Sequence, residues 1–269
     1  WCFFRDSDWT FPIGLMDRMS WPYEVSVIFT DSVPLMAVFF KLFRGILPDQ
    51  FQYFGLWGLL CFALQGAFGA LLIFHYVGKK AEAAVGSLLF VVAPIMLSQM
   101  MVNMSLGAQW LILGCLYLGL CRTRMKDVRF VVCWGAAGLL AAGIQLYFIP
   151  ICGLVLISFF LADLVRRTRM VRGLLAIASY GICSVGTVAL FGGFSHNHIP
   201  DFTALGQSGF NLNGLFNTQG WSQVLEALPV YGDNAEEGLA FPGTGILLTL
   251  AAGLIGWLFH LAYRLFVRR

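Results

Sequence analysis

The positive charges of this chain are gathered into short clusters, and long apolar stretches without any basic residue separate them. Eleven of the 14 acids lie away from these clusters, before residue 50 or between residues 201 and 237. A chain that crosses a bilayer repeatedly keeps Lys and Arg on the cytoplasmic side. The pattern predicts a multi-pass membrane protein, with cytoplasmic basic loops and extracytoplasmic acidic segments. Thirteen of the 17 basic residues fall in the clusters Lys79–Lys80, Arg122–Arg129, Arg166–Arg172 and Arg264–Arg269.

The composition agrees with a lipid bilayer as the main partner. Hydrophobic residues make up 59% of the chain and charged residues 12%, whereas a soluble domain carries about 25% charged residues. The basic clusters are short and are not interleaved with aromatic residues, which argues against a nucleic-acid partner. The seven cysteines form no C-x-x-C pair and no cluster with metal-ligand spacing, so they are interpreted as apolar packing residues.

The apolar stretches predict an all-α, polytopic transmembrane helix bundle. A membrane-crossing helix needs about 20 apolar residues, and seven stretches qualify. With the basic clusters inside, these spans alternate in direction without any being forced, which supports the topology. The predicted spans are 52–77, 84–101, 105–121, 130–145, 147–165, 173–193 and 242–263.

Four segments follow from these spans. Residues 1–51 form an extracytoplasmic loop, 52–193 a six-span bundle, 194–241 a second extracytoplasmic loop, and 242–269 the last span with a cytoplasmic basic end. Within the first loop, Val33–Leu47 is almost continuously apolar, and its basic residues Lys41 and Arg44 are spaced to share one helix face. Such a stretch is typical of an amphipathic helix that lies in the membrane interface. Residues 30–34 resemble the start of that helix, with a capping residue followed by Pro34.

The extracytoplasmic acids are the main candidates for chemistry. The chain has no Walker A loop and no G-x-S-x-G motif, and no ionisable residue lies near the middle of a span, which argues against a coupled transporter. Asp31 could act as a general base or hold a divalent cation; alternatively, it only caps the helix that follows. Asp6 and Asp8 could bind a cation with it, such as Mg²⁺ or Mn²⁺, or they could simply be solvated.

Other polar residues are candidates for binding a substrate or its carrier. Lys41 and Arg44 could hold a lipid phosphate, or could be snorkelling charges on an interfacial helix. Glu236 and Glu237 could contact an acceptor or a metal, or could form a solvated loop edge. The remaining pair, His196 and His198, lacks a third ligand with suitable spacing.

The order of these parts resembles the GT-C glycosyltransferases, which take a sugar from a polyprenyl-phosphate or diphosphate carrier. Val33-Pro34-Leu35 is similar to their Pro-Pro-Leu motif, with Val33 in place of the first Pro. More closely, the chain resembles an uncharacterised family of bacterial multi-pass membrane proteins grouped with GT-C enzymes. The matching stretches are 1–14 (WCFFRDSDWTFPIG), 28–35 (IFTDSVPL), 51–66 (FQYFGLWGLLCFALQG), 211–222 (NLNGLFNTQGWS) and 237–245 (EGLAFPGTG).

The resemblance implies a GT-C-like fold and transfer of a sugar from a polyprenyl-phosphate carrier to an envelope glycan, lipid or protein acceptor. GT-C enzymes carry a key carboxylate in the first outer loop, so this chain is expected to be a fragment that lacks the first span. The main catalytic acid could then lie upstream of Trp1, with Asp31 as a second acid near the donor phosphate. The alternative is a non-enzymatic scaffold for envelope assembly, or a lipid or polysaccharide transporter that depends on span residues such as Gln65 or Gln145.

Overall fold

The computed structural model describes residues 1–20, 22–195, 212–230 and 239–266, and 66% of the structure is helical. A two-stranded antiparallel sheet near the start pairs β1 (Leu15–Ser20) with β2 (Tyr23–Ser26). The α-helices are α1 (Cys2–Asp6), α2 (Pro34–Lys41), α3 (Phe54–Val77), α4 (Lys80–Val91), α5 (Pro94–Val102), α6 (Trp110–Leu120), α7 (Asp127–Ile144), α8 (Phe148–Val165), α9 (Met170–Leu190) and α10 (Thr244–Phe266).

Five of these helices are long and apolar enough to cross a membrane. A sixth span is available if α4 and α5, which are bent by 48° at a short break, count as one. The break directly precedes Pro94, whose ring disfavours helical geometry in the residue before it. The predicted span 105–121 contains only the 11 residues of α6, roughly 17 Å of helix. The count of seven spans is therefore not confirmed, whereas the multi-span helical character is.

The expectation of an all-α chain missed the β1–β2 hairpin. Its residues Leu15 and Met16 are buried, and a backbone hydrogen bond of 3.0 Å from the Ile13 amide to the Leu190 carbonyl ties the start of the hairpin to the end of α9. Ser26 Oγ adds a bond of 2.6 Å to the Phe191 carbonyl. Gly14 is required at this junction, because a Cβ there would collide with the same carbonyl. A tertiary contact with a distant helix thus stabilises a hairpin too short to be stable alone.

The chain divides into two compact units, residues 1–91 with 99–199 and residues 92–98 with 200–269. In the first unit α7 and α9 pack closely because small residues line their contact. Gly138 lies against the backbone of Tyr180, and Ser184 Oγ donates to the Gly138 carbonyl at 3.2 Å. These contacts fix the orientation of α7, whose two ends carry the polar clusters described below.

Helix α2 is shorter than the predicted interfacial helix Val33–Leu47, since it ends at Lys41 and continues as turns. Val33 precedes it in a left-handed conformation, with a φ of 49°, and is fully buried. Leu35, in the first turn, packs against Gly143 near the end of α7. This contact brings residues 30–33 to the end of α7 at which Gln145 lies.

Each of the three acids that lie among the basic clusters forms an ion pair with a nearby basic residue. Glu82 pairs with Lys79, while Asp127 pairs with Arg169 and Arg172. Asp163 is almost completely buried and pairs with two arginines: Arg122 Nε at 2.9 Å and Arg172 at 3.5 Å. A buried guanidinium needs such a partner, because removing it from water without one is costly. This cluster of Arg122, Asp127, Asp163, Arg169 and Arg172 is called the arginine end of the first unit.

In the second unit, residues 212–230 form a loop held by side-chain hydrogen bonds. Asn217 bridges the loop, donating to the Leu228 carbonyl and accepting from the Leu228 amide, both at 2.9 Å. Asn217 and Thr218 are fully buried. Ser222 Oγ lies 2.9 Å from Thr244 Oγ1, at the first residue of α10. This part of the predicted second loop is therefore ordered against the start of the last span.

Candidate functional site

The candidate site lies at the end of the first unit opposite the arginine end. Helices α6, α7 and α8 run between the two ends, and α7 alone, with 18 residues, separates them by about 27 Å. Three stretches meet at the site: residues 30–33, the turn 103–106 before α6, and the turn 145–147 between α7 and α8. All three lie in the first predicted extracytoplasmic loop or at the predicted extracytoplasmic ends of spans. This group is called the Asp31 end.

Hydrogen bonds join Asp31 to two distant side chains. Gln145 Nε2 donates to Asp31 Oδ1 at 3.1 Å and to Ser105 Oγ at 3.0 Å. Ser105 Oγ lies 3.3 Å from Asp31 Oδ1 and 2.7 Å from Asn103 Oδ1. A hydroxyl has one proton, so Ser105 donates to one of these two oxygens at a time. Ser105 is fully buried and Gln145 nearly so, which gives Asp31 rigid partners.

Asp31 itself is exposed, although one of its oxygens is held. Its Oδ2 has no hydrogen-bond partner among the residues that the structure describes. The interpretation that Asp31 caps α2 is wrong: Val33 is the N-cap residue, and no side chain caps this helix. The carboxylate is thus oriented through Oδ1, and no described residue forms a hydrogen bond with its Oδ2.

Aromatic side chains fix the backbone on both sides of the Asp31 end. The Tyr53 hydroxyl donates to the Ser32 carbonyl, next to Asp31. Trp57 Nε1 donates to the Met104 carbonyl at 2.9 Å, next to Ser105. Gln145 is fixed through its other amide atom, since Oε1 accepts from the Leu146 amide at 3.0 Å. The polar group is therefore preorganised by α3 and by the α7–α8 turn.

A small acidic cavity of about 170 Å³ lies near the start of the chain. Its polar lining includes the carboxylates of Asp8, Asp17 and Glu24 and the hydroxyls of Ser7 and Thr10. Asp17 follows Met16 and Glu24 precedes Val25, and Met16 and Val25 are paired across the hairpin, so the hairpin brings both acids to the cavity. Sequence reasoning selected Asp8 but missed Asp17 and Glu24, because it did not predict the hairpin.

Lys41 and Arg44 fasten residues 5–8 to α2. The fully buried Lys41 ammonium donates to Ser7 Oγ at 2.9 Å and lies 4.0 Å from the centre of the Phe4 ring. Burial, together with the nearby Arg44 guanidinium, lowers the pKa of Lys41 from 10.5 to about 8. Arg44 donates to the Ser7 carbonyl at 2.8 Å. A role for either residue in binding a carrier phosphate stays a prediction.

The described residues contain no group of three or more His, Cys, Asp or Glu that could hold a metal ion. Asp6 is exposed at the end of α1, and Asp8 faces the acidic cavity. A cation site built from Asp6, Asp8 and Asp31 is thus not among the clusters that the described residues form. The other predicted binding residues lie outside the described residues; they are His196, His198, Glu236 and Glu237.

The sequence contained only a partial signal for the partners of Asp31. The sequence places Gln145 among the polar residues of the spans, which is a position that favours a transporter role rather than a place in this site. Ser105 and Asn103 stand in a short polar turn between two apolar stretches, which is the only local indication of a role. Their assembly depends on how the turns meet in space.

Comparison with known proteins places the chain in one family. No curated protein and no solved structure matches it. The family model described as "Domain of unknown function (DUF6311)" matches residues 1–268, and the chain therefore belongs to this family.

Proposed function

We propose that this protein is a membrane-embedded glycosyltransferase. It moves a sugar from a polyprenyl-phosphate carrier to an envelope glycan, lipid or protein acceptor on the extracytoplasmic side of the bacterial inner membrane. The observation that carries the proposal is the geometry of Asp31: its Oδ1 accepts from Gln145 Nε2 and lies 3.3 Å from Ser105 Oγ, while its Oδ2 has no hydrogen-bond partner among the described residues. The layout that resembles GT-C enzymes supplies the substrate class.

The proposed transfer requires a proton acceptor for the hydroxyl and the departure of the carrier phosphate. Asp31 Oδ2 accepts the proton of an acceptor hydroxyl as the hydroxyl oxygen bonds to the anomeric carbon of the sugar. The bond between that carbon and the carrier phosphate breaks, and the phosphate leaves with the electron pair. Gln145 and Ser105 are positioning residues, since they hold Oδ1 and so aim Oδ2 at the surface. A divalent cation at the leaving phosphate, such as Mg²⁺ or Mn²⁺, stays a prediction.

The test compares cell-envelope glycans in a bacterial strain that lacks its own copy of the gene. The strain carries the wild-type protein, the Asp31→Asn variant, the Asp49→Asn variant or an empty vector, with the proteins at equal membrane levels. Asp49 is the matched control, because it is an exposed carboxylate of the same segment with no side-chain partner among the described residues. Mass spectrometry should show a glycan that is lost with the empty vector and with Asp31→Asn but retained with Asp49→Asn.

Two results would redirect the proposal. A glycan that disappears with the empty vector yet persists with Asp31→Asn would remove Asp31 from the reaction and require another acid as the base. An unchanged glycan profile in every strain would favour the scaffold or the transporter. The scaffold would then be recognised by loss of envelope assembly when residues 194–241 are shortened, with Asp31→Asn tolerated.

A further inference from the structure

The arginine end of the first unit contains an open cavity of about 750 Å³ that the proposed glycosyl transfer does not use. Three guanidinium groups line it, those of Arg167, Arg169 and Arg172, against the single carboxylate of Asp127. The lining thus carries two excess positive charges. Arg169 and Arg172 share Asp127, whereas the exposed Arg167 has no ion-pair partner among the described residues.

Two of these arginines adopt an unfavourable backbone conformation. Arg167 and Arg169 have φ values of 53° and 46°, in the left-handed region that favours glycine or asparagine. Backbone hydrogen bonds hold the turn, including one of 2.9 Å from the Thr168 amide to the Asp163 carbonyl. Strain of this kind is concentrated at functional sites, and it persists only where the surrounding structure holds the backbone in place.

A third observation concerns Arg172, which is 4% exposed. Its Nε is buried and has no hydrogen-bond partner among the described residues, although its terminal nitrogens are paired. The cavity also lies at the first turn of α9, where the amides have no intrahelical acceptor. The hydrogen-bond donors around this cavity therefore outnumber the acceptors that the described residues supply.

The walls of the cavity indicate the source of the anion. Leu164 and Val171 line it and are exposed, and both belong to helices that can span a membrane. A soluble anion needs only the arginines, whereas a lipid places its headgroup on the arginines and its chains along the apolar helix surface. The predicted cytoplasmic side of this end also faces an anionic leaflet.

We propose that the cavity lined by Arg167, Arg169 and Arg172 binds a phosphate group, and that an anionic phospholipid headgroup supplies it. Arg167 and Arg169 contact the phosphate, while Arg172 is held by Asp127 and Asp163 and supplies fixed positive charge from within the bundle. The site is independent of the Asp31 end, which lies at the opposite end of α7.

The test uses the purified full-length protein and native mass spectrometry with added phosphatidylglycerol, with phosphatidylcholine as the zwitterionic comparison. The variant is Arg167→Asn with Arg169→Asn, because Asn removes the charge yet tolerates the left-handed backbone. Its matched control is Arg124→Asn with Arg129→Asn, which removes two exposed charges of the same end that do not line the cavity. A second arm titrates inorganic phosphate against each protein by calorimetry.

The expected result is retention of phosphatidylglycerol by the wild type and the control, and at least tenfold weaker retention by the cavity variant. Equal retention by all three proteins, or equal loss in both double variants, would overturn the proposal. Binding of inorganic phosphate without retention of lipid would overturn the lipid source in favour of a soluble phosphate ester. If the double variant does not fold, Arg167→Asn alone gives the same decision, since Arg167 has no ion pair to lose.

Discussion

Gln145 Nε2 donates a hydrogen bond of 3.1 Å to Asp31 Oδ1, although 114 residues separate the two in the chain. The bond joins the turn between α7 and α8 to the residues that precede α2. Both partners lie near Ser105, so three separate loops converge on one carboxylate oxygen. The geometry of Asp31 is therefore set by the packing of α2, α6 and α7 rather than by its neighbours in sequence.

We expect Gln145→Ala to lower glycan transfer by about 10- to 100-fold, because small misplacement of a reacting group has costs of this size. The carboxylate of Asp31 would remain, but the hydrogen bond from Gln145 would no longer fix its orientation. The measurement is the amount of the Asp31-dependent glycan per unit of protein in the membrane. Gln109→Ala is the control, since Gln109 lies at the same end with no side-chain hydrogen bond among the described residues. Equal activity of Gln145→Ala and the wild type would show that Gln145 does not position Asp31.

Asp163→Asn should lower the free energy of unfolding by about 3–5 kcal/mol, because it leaves Arg122 buried without a countercharge and leaves Arg172 with only the exposed Asp127. Glu82→Gln, which breaks the exposed pair with Lys79, should change it by less than about 1 kcal/mol. Denaturant titration of both variants in the same detergent provides the comparison. Similar losses in the two variants would contradict a structural role for Asp163.

Gly138→Ala should destabilise the contact of α7 with α9 by about 1–3 kcal/mol, since the added methyl group meets the backbone of Tyr180. Gly181→Ala is the matched control, because a Cβ at Gly181 would have no neighbour within 4 Å. Its stability should be unchanged or slightly raised, as Ala favours helix over Gly. The measurement is the unfolding temperature of each variant relative to the wild type. An unfolding temperature of Gly181→Ala below that of the wild type would contradict this account of the packing.

The stability contribution of Lys41 should depend on pH. Because burial lowers its pKa to about 8 from an unfolded value of 10.5, the folded state binds fewer protons than the unfolded state between these values. The free energy of unfolding should therefore rise with pH across this window. Asp8 and Asp17 oppose the shift, whereas Arg44 adds to it.

The Lys41→Met variant isolates this contribution. The unfolding temperature of the wild type, measured relative to that of Lys41→Met, should be higher at pH 9.5 than at pH 7.5. Titrations of other groups occur in both proteins and cancel in the difference. A difference that stays constant, or falls as the pH rises, would show that Lys41 is not desolvated in the folded protein.

Much of the helical layout could be predicted from the sequence. The predicted spans 52–77 and 147–165 lie within two residues of α3 and α8 at each end. The broken pair α4 and α5 was harder to predict, because the apolar run continues through the break and only Pro94 indicates it. The β1–β2 hairpin carried no clear alternating pattern, and a contact with the end of α9 stabilises it.

The sequence by itself determined that this chain has several helices able to cross a membrane, and that its basic and acidic residues are sorted into separate segments. These are local properties, because each span depends only on its own apolar length. The tertiary structure alone decided that Asp31 is held by Gln145 and Ser105, that Lys41 is buried, and that Asp163 joins two arginines. Those relationships depend on how the helices pack, and close approach of α7 and α9 at Gly138 is a contact between residues that the sequence places far apart.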